Sequence, residues 1–352
     1  MLSTRSEEIS KSITQCVDQT NQWFSTHNGT GKSLNRCLIG FNELVLAVPS
    51  TIDNEYGLIP PWLYLFHEAD QELDSTITQL YSGMYKESLR TLRSFIELNL
   101  LGIHYFTTED KADFLKWLFG QKNTPYCKQL LDGLVRDNEQ IKKLDNIGWS
   151  KSIYDIYKEL SAFVHTSGND GSFLALRDSN ILQFNTKGIE HVMPLLILSI
   201  QLVSAARVAC FPMSLRPLPL FEKFGFGGPA SGFFEDDQVN RVIDIFTSDS
   251  QYTALLKKIC DEDEHTNNLV DGIRSLPDLS LNEISDSFKK WLDSTEDIKE
   301  REKIKQSLKG KDPDTAYAMV KAMQRAFIKV SFPVINAITL GLWGKEINHL
   351  RH

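Results

Sequence analysis

The sequence predicts a mainly α protein: a helical bundle with one small β-hairpin, followed by a helical C-terminal region. Three observations predict it. Apolar residues recur at steps of three and four through most of the first 211 residues, the period of a helix with one buried face. One short run, "SFLALRDSNILQFN", abandons that period and places two apolar segments around the turn-type cluster Asp178-Ser179-Asn180. Finally, prolines and glycines crowd residues 212–237 and prevent a regular helix there. The chain therefore divides into a bundle over 1–211, an irregular Pro/Gly/Phe-rich connector over 212–237, and a helical region over 238–352.

The elements follow in order. Amphipathic patterning predicts helices near 4–25, 33–48 and 62–82. The glycines of "HNGTGKS", His27 to Ser33, predict a turn between the first two. That segment lacks the early glycine and the buried preceding strand of a phosphate-binding loop. A long helix then begins at Met84, with Tyr85, Leu89, Leu92, Ile96, Leu100 and Ile103 on one stripe. Its second half adds Phe95, Leu98, Leu101, Tyr105 and Phe106, so it is apolar nearly all round and must be buried. Helices near 110–119 and 124–136 lead to "SIYDIYKELSAFVH", whose apolar stripe is Ile153, Ile156, Tyr157, Leu160, Phe163 and Val164. The hairpin comes next, then a helix near 187–210. Its segment Val192 to Phe211 is long enough to span a bilayer, but Pro194, Gln201 and Arg207 interrupt it. A charge inside a span is costly, so the central helix of a large bundle is the expectation. In the connector, Phe and Leu side chains alternate with the breakers and predict a strap held to a surface. Further amphipathic pieces fall near 238–247, 251–261, 266–275 and 280–293, followed by the mixed-charge run "TEDIKEREKIKQSLKG". A last helix begins with Asp312 as cap and Pro313 in its first turn. It ends in "SFPVINAITLGLW", apolar enough to pack on the protein or on a second copy.

Composition bounds the function. A net charge of −8 argues against broad electrostatic attraction to nucleic acid. Cys16, Cys37, Cys127, Cys210 and Cys260 are scattered, odd in number and without a C-x-x-C pair, as reduced thiols of a cytoplasmic protein would be. The N-terminal "MLSTRSEEISKSITQ" has no apolar core, so no secretory leader is expected. "HEADQELD" places Gln71 where a zinc-protease helix needs its second histidine, and "CDEDEH" reads as a solvated acid run. No metal site and no cofactor are expected.

Two polar faces are candidates for chemistry. On the helix from Met84, Lys86, Arg90, Arg93, Glu97 and His104 share one side. Glu97 sits among residues that demand burial, so it needs a cation, and Arg93 one turn back supplies it. On the helix ending at His165, the polar side carries Tyr154, Lys158, Ser161 and His165. Lys158 and His165 are about 10 Å apart along the axis. A phosphodiester across that face could meet both, with the imidazole moving a proton and the lysine offsetting phosphate charge. The alternative is a histidine that only closes a helix end.

The stretches "SGMYKESLRTLRSFIEL" and "IYKELSAFVHTS", in that order, resemble the HEPN-type helical bundles of prokaryotic toxin–antitoxin and anti-phage systems, and bacterial proteins related to them. The resemblance spans roughly residues 60–210. For the members that cleave RNA it implies an arginine, four to six residues, then a histidine on the last helices, and a dimer that juxtaposes two such motifs. Many proteins of this type are catalytically silent and serve in binding. Here Lys158 and His165 match the spacing, with lysine where arginine is expected, and lysine lacks the planar fork that grips phosphate. The resulting expectation is a cytoplasmic interaction or scaffold protein of a bacterial defence or stress system. It would self-associate or bind another protein, without stable membrane association. The alternative is a metal-independent endoribonuclease acting on RNA, with His165 and Lys158 catalytic and Arg93, Glu97, Arg90 and Ser161 in support.

Overall fold

The computed structural model describes residues 2–45, 63–108, 110–165, 182–225, 234–246 and 250–280, with 282–284, 286, 306–307 and 311. Among these the protein is helical, with no strand and a single parallel bridge between Pro217 and Phe234. Most of the expected hairpin, 172–181, lies outside the described residues, as do most of the mixed-charge run and the helix expected from Asp312. Of the hairpin segment, Leu182 to Asn185 forms a turn in which Asn185 Oδ1 accepts from Gly188 N at 3.0 Å and opens the following helix.

The chain forms two compact units. The first takes in Met1–Val45, Trp62–Cys210 and Arg241–Leu256. It holds α1 (Leu2–Thr26), α2 (Asn28–Val45), α3 (Leu63–Tyr81), α4 (Tyr85–Thr108), α5 (Lys111–Leu118), α6 (Cys127–Asp137), α7 (Glu139–Asp145), α8 (Trp149–His165) and α9 (Thr186–Cys210). The turn expected over His27–Ser33 shrinks to His27 alone. Its amide donates to Trp23 O and its carbonyl accepts from Thr30 and Gly31, so the helical pattern resumes at once. Both glycines in that stretch are tolerated because α2 leaves them space or a movable Phe24 ring. The period of the neighbouring residues outweighed the local breakers.

α3 and α4 form an antiparallel hairpin around Gly83, which adopts φ +72°. Gly83 N donates to Leu80 O and Met84 N to Gln79 O, closing α3 with a left-handed cap. The two helices lie close because Gly102 has no Cβ; one would stand 2.7 Å from the Phe66 ring. Ser88 Oγ donates to Thr76 O at 2.9 Å and fixes the register. α9 is the apolar centre of this unit, packed on α2, α4, α7 and α8. It is the one helix among the described residues long and apolar enough to cross a membrane, and most of it is buried within the protein. Trp149 Nε1 donates to Leu202 O at 2.9 Å, which anchors the start of α8 on α9.

The second unit includes Phe211–Asn240 and the residues from Lys257. A 3-10 turn (Pro212–Leu215), α10 (Leu220–Phe224) and α13 (Glu264–Ser275) lie within it. Met213, Leu218, Leu220 and Val270 make its small apolar core. Arg216 ties the connector to α13 and its approach, through Asn267 and Asp261. The connector is thus ordered by short helices as well as by its buried Phe221 and Phe234. Residues 226–233 lie outside the described residues. Two further helices, α11 (Asp236–Asp244) and α12 (Ser250–Glu262), run across the boundaries at 240/241 and 256/257.

Candidate functional site

The seam between α4 and α8 brings most of the sequence-derived residues together. Arg93 and Glu97 stand one turn apart on α4, with Arg93 Nη2 and Nε 3.0 and 3.3 Å from Glu97 Oε1. From α8, the Tyr157 hydroxyl completes a triangle. It accepts from Arg93 Nη2 at 2.6 Å and donates to Glu97 Oε1 at 2.5 Å. The guanidinium carbon also lies 4.7 Å from the Tyr157 ring centroid. One side chain thus serves as acceptor for the cation and as donor to the anion.

The remaining edge of Arg93 reaches the end of α8. Its Nη1 is 3.5 Å from His165 Nε2. A guanidinium can only donate, so the ring nitrogen is the acceptor wherever this contact is a hydrogen bond. His165 is exposed. Arg90 Nε donates to Phe163 O at 3.2 Å and satisfies one of the carbonyls that α8 leaves open, while Nη1 lies 3.7 Å from Glu87. Arg90 therefore acts on the same helix terminus by closing its backbone.

Two expected members stand apart. Lys158 is exposed and its ammonium sits 5.9 Å from the Tyr154 ring centroid, with Lys128 5.6 Å from the same ring. Side chains on a helix lean towards its N-terminus, which draws Lys158 away from His165 two turns ahead. Ser161 Oγ donates to Tyr157 O at 2.6 Å and is engaged with its own helix.

Electrostatics follow this geometry. Burial pulls the Arg93 guanidinium down, but Glu97 and Tyr157 outweigh it and hold the group above its ordinary range. Burial pushes the Tyr157 phenol well up, and its bond to the Glu97 carboxylate adds to that. Beneath the triangle, burial raises the Cys127 thiol to about 12, with Glu97 adding and Arg93 opposing. It is a poor nucleophile at neutral pH. Among the described residues no three His, Cys, Asp or Glu side chains converge on a metal-sized point.

Tyr157 is the residue that sequence reasoning missed, because its position belongs to the apolar stripe of α8. The signal was a hydroxyl on a face bound to meet a half-buried Arg–Glu pair. Comparison with protein families, with curated proteins and with solved structures finds no match to this chain.

Proposed function

We propose that the chain is a helical interaction protein in which the Arg93–Glu97–Tyr157 triangle locks α8 onto α4 and the protein acts by self-association. The observation that carries this is the engagement of Arg93. Its donors already serve Glu97, Tyr157 and His165, while Lys158 turns towards Tyr154. A phosphate at His165 would first have to displace those bonds. Exposed apolar side chains, among them Tyr126 at 79% exposure, Phe119, Leu198 and Phe224, provide material for contact with a second copy. The resemblance to HEPN-type bundles supports a binding role, since many proteins of this type are catalytically silent and serve in binding; it also supports a place in a bacterial defence or stress system and a cytoplasmic location. The test is sedimentation of the full chain over a wide concentration range. A concentration-dependent dimer is the expected result, and a monomer at several hundred micromolar overturns the proposal.

A second reading, metal-independent ribonuclease action, is favoured by one contact: an exposed imidazole beside a guanidinium at 3.5 Å. Its test is cleavage of mixed RNA in EDTA by the parent and by His165→Ala. Cleavage lost in the variant supports it; no cleavage, or equal cleavage by both, removes His165 from any such reaction.

A further inference from the structure

Arg207, near the end of α9, is fully buried, and none of its three nitrogens has a hydrogen-bond partner. Its guanidinium lies 4.1 Å from the Phe66 ring centroid on α3 and 5.5 Å from that of Phe41 on α2. Cation–π attraction acts on the face of the group, whereas its donors lie in the plane. Asp70, one turn beyond Phe66, exerts a favourable charge on it but makes no hydrogen bond to it, and has interactions of its own. Ser204, one turn earlier on α9, also has a buried hydroxyl without a partner. Burial lowers the guanidinium to about 9, so it remains a cation at neutral pH.

We propose that Arg207 and Ser204 form a receiving site for the carboxylate of a single-chain apolar molecule, which enters the core between α2, α3 and α9. A planar fork of donors matches a carboxylate in two parallel bonds, and the serine hydroxyl supplies a third. The walls choose the rest of the ligand. The Phe41 and Phe66 rings beside the guanidinium offer contact to hydrocarbon. A multiply charged phosphate would lose more hydration on entry than a singly charged carboxylate. Arg207 has no exposed surface, so a ligand reaches it only by a separation of α9 from α2 and α3. This site is separate from the α4–α8 seam and does not depend on how that seam works.

The experiment is thermal unfolding of the full chain and of Arg207→Met, each alone, with octanoate, with octanol and with inorganic phosphate. Without ligand the variant is expected to melt above the parent, because it removes a buried charge that has no hydrogen bonds and keeps a similar volume. Octanoate is expected to raise the melting temperature of the parent by about 3 °C or more at saturation and to leave the variant unmoved. Octanol is expected to move neither. An octanoate response equal in both proteins overturns the proposal, as does no response in the parent. A response to phosphate with octanoate silent overturns the choice of carboxylate. A variant that melts below the parent without ligand shows that Arg207 is paired in solution and removes the premise.

Discussion

Replacing Tyr157 with Phe removes one oxygen and leaves the ring against Arg93. The deleted hydroxyl makes two short bonds, 2.6 Å from Arg93 Nη2 and 2.5 Å to Glu97 Oε1, each with a charged partner. Hydrogen bonds to charged groups contribute about 1.5–3 kcal/mol each when buried. Arg93 and Glu97 keep each other, and their side chains are 18% and 29% exposed, so water replaces part of what is lost. The expected cost is about 1–2 kcal/mol in total, which for a unit of this size lowers the melting temperature by about 2–8 °C. Urea unfolding followed by circular dichroism measures it directly. A cycle with Glu97→Gln separates the bond from the deletion itself. If the hydroxyl acts through Glu97, the double variant loses less than the sum of the singles by about 1 kcal/mol. A Tyr157→Phe change within about 0.5 kcal/mol of the parent, with no coupling to Glu97, refutes the clamp.

Three further outcomes follow from the same structure. Gly83→Ala places a Cβ 2.7 Å from Gln183 O at a left-handed φ of +72°, so it is expected to destabilise by at least about 1 kcal/mol in urea unfolding. Gly102→Ala pushes a methyl to 2.7 Å from the Phe66 ring and is expected to cost about 1–3 kcal/mol by forcing α3 from α4; an unchanged midpoint denies that close packing. Cys127, buried and raised to about 12, is expected to resist iodoacetamide at pH 7.5 until urea unfolds the unit, as peptide mapping by mass spectrometry reports.

Much of the first unit was legible because burial there follows helical period. α4 and α8 were readable from their stripes, and the pairing of Arg93 with Glu97 followed from one carboxylate among apolar neighbours. The small helix α7 was not, since seven residues carry little periodicity; its start depends on Asn138 accepting from Gln140 and Ile141. The turn at His27–Ser33 was overestimated because glycine sets a local cost that neighbouring packing can override. At the α4–α8 seam, sequence spacing put Lys158 and His165 on one face about 10 Å apart, but spacing states only the face of the helix. A long side chain on a helix leans towards its N-terminus, and the Lys158 ammonium accordingly lies 5.9 Å from the Tyr154 ring centroid.

Tyr157 also makes the α4–α8 seam sensitive to base. An acid whose proton is held more tightly when folded contributes no pH dependence below its unfolded value near 10. Above that, the unfolded chain releases the proton while the folded triangle retains it, so stability falls as pH rises through the raised folded value. Each such group accounts for at most about 1.4 kcal/mol per pH unit in that window. Tyr85, raised to about 12 by burial, and Tyr105 act in the same direction. Tyr157→Phe is therefore expected to lessen the loss of stability between pH 10 and 12 without abolishing it, measured by urea unfolding at each pH. Arg207 acts in the opposite sense: a buried cation lowered to about 9 is a burden below that pH that lifts as pH climbs towards the unfolded value near 12.5. The two groups are separable because Tyr157→Phe removes a falling component and Arg207→Met a rising one. If both substitutions shift the alkaline profile in the same direction, one of the two burial assignments is wrong.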